Sequence, residues 1–191
     1  TILMNRKKFL KIVGASAGIA AVGGTSAWMV FDHKTTHQPL QKREMKFNSL
    51  EEAYQELEQM EMAQNLSVGG QWSLYQNIIH CAQSIEFSYQ GYPQMKPAIY
   101  QRTLGSLVWN RFKGQGYMSH DLNDPIPAAP IIDAVGETKL AFERLKVAIE
   151  TFESPSCILK PHFVYGELAK SDYAKAHAMH LADHFSAITL R

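Results

Sequence analysis

Cysteine is almost missing from this chain. Cys81 and Cys157 are the only two in 191 residues, too few for a disulfide framework or a four-thiolate zinc site, although a single bridge stays open in an oxidising compartment. A charge bias is missing too. With 19 Lys+Arg against 18 Asp+Glu, the chain offers no basic field to a polyanion, so no nucleic-acid partner is expected. Also lacking are a phosphate-cradling glycine loop after a strand, a dinucleotide fingerprint, and any local Ser-His-Asp or Cys-His arrangement. There is no internal repeat and no sustained alternation bounded by hairpin turns, so a β architecture has no support. What is present is ordinary for a folded domain: 46% hydrophobic and 19% charged residues, enough to bury one core and too apolar for wholesale disorder.

Residues 1–31 read as a targeting segment. Arg6-Lys7-Lys8-Phe9-Leu10-Lys11 precedes Ile12 to Phe31, a run of 20 residues without a charge, which is a basic n-region ahead of an apolar h-region. Met4 is read as the natural start. The basic run resembles a twin-arginine export signal, with Lys7 where the second arginine belongs. Thr25-Ser26-Ala27 offers small residues for cleavage, whereas Trp28 and Phe31 suit an uncut helix anchored at the membrane interface; a buried core helix is the bland alternative. The expected location is outside the bacterial cytoplasm, either periplasmic or anchored to the inner membrane. Residues 32–46 are polar, contain Pro39 and lack an apolar period, so they read as a tether in which His33 and His37 are solvated.

The folded domain is expected at 47–191, and its fold class is all-α. Ser49 with Glu52 is a capping-box signature, followed by Leu50, Ala53, Tyr54, Leu57 and Met60 at helical spacing. A second helix is predicted over 71–89, with Leu74, Ile78, Cys81, Ala82 and Ile85 on one stripe. A third opens at Pro97 and carries Ile99, Leu104, Leu107, Val108 and Phe112. Between Gly114 and Gly136, Pro125, Pro127 and Pro130 exclude a helix interior, and a loop of that length inside a domain usually has a job. A fourth helix starts at Glu137 and ends at Ser154-Pro155, and a fifth runs from about Ser171 toward the C-terminus. An antiparallel helical bundle is the economical arrangement.

Histidine carries the sharpest chemical signal. Three of the eight histidines, His177, His180 and His184, fall on the last helix. Residues four apart share a helix face with Cβ atoms about 5–6 Å apart, so His180 and His184 have the spacing of a helical metal pair. A third protein ligand must come from another helix, and His80 is the leading candidate. It is flanked by Gln76, Asn77, Gln83 and Ser84, a polar strip that either orients the imidazole or faces water. Asn77 is the first nominee as its support.

Three segments, Trp72-Ser73-Leu74-Tyr75-Gln76-Asn77-Ile78-Ile79-His80-Cys81-Ala82-Gln83-Ser84-Ile85-Glu86, His162-Phe163-Val164-Tyr165-Gly166-Glu167-Leu168 and His177-Ala178-Met179-His180-Leu181-Ala182-Asp183-His184, in this order resemble the DinB-like superfamily. More closely, they resemble an exported domain-of-unknown-function branch of it. The likeness runs from about Phe47 to Ile188. It implies a DinB-like four-helix bundle with the N-terminal signal or anchor helix as an addition. By position it also implies a divalent metal ion (zinc, nickel or iron) on His80, His180 and His184, with open positions for water or substrate. Relatives include metal-dependent thiol S-transferases and hydrolase-like members, so the resemblance implies a small-molecule substrate. The sequence departs from the superfamily pattern at Asp183 and Ser186, and at Phe163 where a proline is usual.

Other candidates have a bland reading beside the functional one. His177 reads foremost as solvated, otherwise as a base or a donor behind the ligands. His162 either lines the mouth of the bundle or packs on Tyr165. Asp183 lies about 100° round the helix from His184 and either orients a neighbour or sits in solvent. Cys81 is turned toward the apolar stripe and reads as core. Trp72, Trp109, Tyr75, Tyr92, Tyr100 and Tyr117 are assigned to packing before a pocket edge. Further expected partners are the membrane, if the N-terminal segment is uncut, and a second copy in a homodimer. The competing reading is a non-enzymatic accessory or binding protein with a vestigial or structural metal site.

Overall fold

A computed structural model describes residues 42–190. The targeting segment, its cleavage and anchoring residues, and the tether up to residue 41 lie outside the described residues. Among those described, no helix is long and apolar enough to cross a membrane.

The chain is mostly helical, in the order α1 (Leu50–Met62), β1 (Leu66–Val68), α2 (Leu74–Gln90), α3 (Ala98–Tyr100), a π-helical segment Gln101–Gly105, α4 (Ser106–Gln115), α5 (Thr138–Glu153), α6 (Lys170–Ser186) and β2 (Ile188–Leu190). Ser49 caps α1 by accepting from the backbone N–H of Glu52. The reciprocal half of the expected box goes elsewhere, because Glu52 accepts from the backbone of Asn48 at 2.8 Å. The full reciprocal box is at α2, where Ser73 Oγ accepts from Gln76 N and Gln76 Oε1 accepts from Ser73 N. It starts α2 three residues later than the apolar pattern suggests.

The stripes anticipated from spacing meet in one core. Leu50, Ala53, Leu57 and Met60 of α1 join Ile78, Cys81, Ala82 and Ile85 of α2, Phe142, Leu145, Ile149 and Phe152 of α5, and Leu181 and Phe185 of α6. The most extensive pairing is α2 with α5, while α1 packs on α5 and α6. Burying such aliphatic and aromatic side chains stabilises by roughly 1.5–3 kcal/mol each.

The all-α expectation gives way at one point. β1 pairs antiparallel with β2, Leu66 opposite Leu190 and Val68 opposite Ile188. Strands of three residues are too short to show a period, and this pair ties the chain end after α6 back to the α1–α2 connection. Residues 42–46, read as tether, are already docked: Arg43 N donates to Ser186 O at 2.7 Å and its guanidinium pairs with Glu56.

Two further features complete the fold. The π-helical segment lets Gly105 lie against the Val164 carbonyl, where a side-chain carbon would overlap it. Gln101 then donates to Lys96 O and Phe163 O. The proline-rich stretch is a loop as expected, but it is seated on α2: Gln76 donates to Ile132 O at 3.3 Å and Gln83 to Pro130 O at 3.2 Å. The polar strip flanking His80 therefore holds a loop instead of facing water.

Candidate metal centre

Helix α6 carries His180 and His184 one turn apart, both buried, and α2 brings His80 to meet them. The ring centroids of His80 lie 5.3 Å from His180 and 4.7 Å from His184. A fourth imidazole joins them. His120, from the proline-rich loop, stacks on His180 with centroids 5.0 Å apart, and its Nε2 is 3.2 Å from Nε2 of His184. One ring nitrogen from each of the four lies within 4.8 Å of the others. His120 is the residue that sequence reasoning missed. It has no helical partner spacing, and the only signal pointing to it was the length of the loop that carries it.

Asp183 explains how a loop residue becomes part of a buried site. Its Oδ2 accepts from the backbone N–H of His120 at 3.0 Å and lies 2.9 Å from Nδ1 of the same residue. Its Oδ1 takes Lys42 Nζ at 2.7 Å. The carboxylate thus favours the proton on Nδ1 and turns the Nε2 lone pair toward His184, as a carboxylate behind a ligating histidine does. Burial opposes ionisation of Asp183, but the contacts with His120 and Lys42 outweigh it and hold the carboxyl below its usual value. Of the two sequence readings of Asp183, orienting a neighbour is the one the geometry matches.

The three helix-borne imidazoles, His80, His180 and His184, are neutral bases. Burial, with a contribution from His120, pushes His80 down to about 3. His180 and His184 are held well below the usual histidine value by burial first and then by their neighbours. Neutral imidazole is the form that ligates a metal. The set also fits an ion in size. Nitrogens bound tetrahedrally at about 2.0–2.1 Å are about 3.4 Å apart, and a trans pair spans about 4.2 Å. The His120–His184 separation is already of this size, and small ring rotations bring in the widest pair. Nδ1 of His184 is buried without a hydrogen-bond partner.

The other candidates fall as follows. Asn77 is buried, and its amide oxygen lies 3.9 Å from the thiol of Cys81, itself wholly buried in the core. Cys81 and Cys157 are both free thiols. Trp72 packs on His80 with centroids 5.0 Å apart. His162 does both things the sequence left open: its ring stacks on Tyr165 at 4.2 Å and it lines a cavity beside the cluster. Its Nδ1 accepts from the backbone N–H groups of Val164 and Tyr165, which fixes the turn. The solvated reading of His177 is overturned. The residue is 3% exposed, stacked on Tyr173 and edge-on to Phe152, because α6 is covered on every side from Ala176 onward.

The fold and site together define a mostly helical protein with a buried four-histidine cluster that could hold a metal ion. Residues 40–191 match the family described as protein of unknown function DUF1569, and the chain belongs to that family. No curated protein and no solved structure matches it.

Proposed function

We propose that this protein binds one divalent cation through His80, His120, His180 and His184, and that its resemblance to the DinB-like bundles extends to this site. The observation that carries the reading is the convergence of four ring nitrogens from two helices and one loop inside the protein. Buried polar groups at this density are costly unless each is satisfied, and a cation satisfies four lone pairs at once. When bound, such an ion lowers the pKa of a coordinated water or thiol and polarises an oxygen atom. The chain's own contribution is to keep His80, His180 and His184 neutral, to hold His120 in register through Asp183, and to exclude solvent with Trp72 and the proline-rich loop.

Four imidazoles change the chemistry that three would imply. They fill a tetrahedral zinc site, which is then structural. An ion that takes five or six ligands, such as iron or nickel, keeps positions for a small-molecule substrate. The cavity bounded by His120 and His180 favours the second case, and transferase or hydrolase chemistry on a small molecule at the bacterial envelope is the reading we prefer. His120 itself favours the competing reading, a structural ion in an accessory protein.

Elemental analysis of untagged protein, repeated on His80→Ala, tests the proposal. About one ion per chain in the wild type and a loss of at least tenfold in the variant is the expected result. Equal content in both would sink it. A tetrahedral cobalt spectrum that added ligands leave unchanged would select the structural reading.

A further inference from the structure

Beside the histidine cluster lies a small cavity, with room for about two or three waters. Val108 and Phe112 of α4, Met118 of the loop and Phe163 supply apolar lining, and His120 and His180 of the cluster line it too. No lysine, arginine, aspartate or glutamate lines it. His177 does line it, one turn before His180, and Nε2 of this wholly enclosed ring has no hydrogen-bond partner. Tyr92, also in the wall, already directs its hydroxyl to Ser84 O at 3.3 Å. A cavity of this make-up rejects ions, because a charge would lose its hydration and gain no counter-charge. It accepts a thin apolar group and offers the buried Nε2 of His177 as a hydrogen-bonding atom.

We propose that this cavity is a ligand site for a slender, uncharged molecule whose apolar part lies between Phe112, Met118 and Phe163 and whose single polar group meets Nε2 of His177. That the occupant is also the substrate rests on the metal reading, since only then do His120 and His180 set a reactive centre beside the cavity. His177 is then a binding residue, distinct from the four that would hold the ion.

The test uses the whole chain and two series of probes, the straight-chain primary alcohols from ethanol to hexanol and the carboxylates of matching length. Binding is followed through the ¹⁵N resonance of His177 and by ligand-observed NMR, first without metal and then with cobalt. Alcohol affinity is expected to rise by about fourfold per added methylene until the cavity is full. The carboxylates are expected not to bind, and the His177 Nε2 signal should move with alcohol occupancy. Val108→Phe, at a half-buried position, should block the longer alcohols, and His177→Phe should weaken butanol by about fivefold. An affinity independent of chain length, equal binding of carboxylates, or a motionless His177 signal in the wild type would each overturn the proposal, whatever the variants do. Cobalt uptake is read separately from its own absorption bands. Alcohol binding without cobalt uptake would remove the metal reading and leave the ligand site standing; cobalt uptake without alcohol binding would do the reverse.

Discussion

Helix α6 is enclosed on two sides, and the two sides are made of different matter. Toward α1, α2 and α5 it presents Ala178, Leu181 and Phe185 to a core of aliphatic and aromatic neighbours. Round the same turns it presents His177, His180 and His184, with Asp183 beside them, all buried. Each apolar side chain gains from leaving water; each imidazole loses hydration and needs something in return. The comparison teaches that the first side holds the protein together while the second is maintained at a cost to stability. That is the usual mark of a site kept for a ligand.

Acid should break this balance most strongly, and on one side only. An unfolded histidine takes its proton near 6.5, whereas burial pushes folded His80 and His177 down to about 3. Between those values the unfolded chain binds more protons. Stability is therefore complete above about pH 6.5 and is lost as pH falls toward 3, by about 1.4 kcal/mol per pH unit for each group. Burial shifts His162, His180 and His184 in the same direction. Urea denaturation of metal-free protein from pH 7.5 to 5 measures the slope, and an unchanged midpoint would show that the histidine side carries no such cost.

Next in size is a cut on the apolar side. Leu181→Ala removes a wholly buried side chain and should cost about 2–5 kcal/mol. Metal content per folded chain should stay as it was. A loss of metal with Leu181→Ala would mean that the two sides are not separable.

Much of the apolar side was legible in the sequence because its signal is periodic. Leu50, Ala53, Leu57 and Met60 on α1, and Ile78, Ala82 and Ile85 on α2, announce their helices and their core face together. His180 and His184 were legible for the same reason, being one helical turn apart. His120 was not: it sits in a loop whose path is set by Gln76, Gln83 and Asp183, residues 37 or more positions away that no local pattern links to it. Reading α6 as having a wet face made His177 look solvated. The error lies in assuming that a polar face is an exposed one, when the loop from Gly116 onward and the Phe163–Gly166 turn cover it. The strands at Leu66–Val68 and Ile188–Leu190 escaped because three residues cannot establish an alternation.

A smaller effect sharpens the polar side from within. Asp183→Asn keeps the size of the side chain but weakens its hold on Nδ1 of His120. Metal affinity should fall by about 10–100-fold, as it does when the carboxylate behind a ligating imidazole is removed. Competition with a chelator of known affinity measures it. An unchanged affinity would mean that His120 is not a ligand and that the remaining three histidines bind alone.

The smallest effect comes from the outermost member of the same chain of contacts, and its sign is the informative part. Lys42 is 31% exposed in its side chain and pairs with Asp183 at 2.7 Å, so replacing it with Met should lower stability by no more than about 1 kcal/mol, and less at high salt. If Lys42 served the metal site, Lys42→Met would weaken metal binding as Asp183→Asn does. The charges predict otherwise. The lysine repels a cation at His184, whose own protonation it already disfavours, while His120 keeps both of its contacts with Asp183 in the variant. Metal affinity should hold or tighten slightly as stability falls, and a parallel loss of both would place Lys42 inside the functional site instead of at its rim.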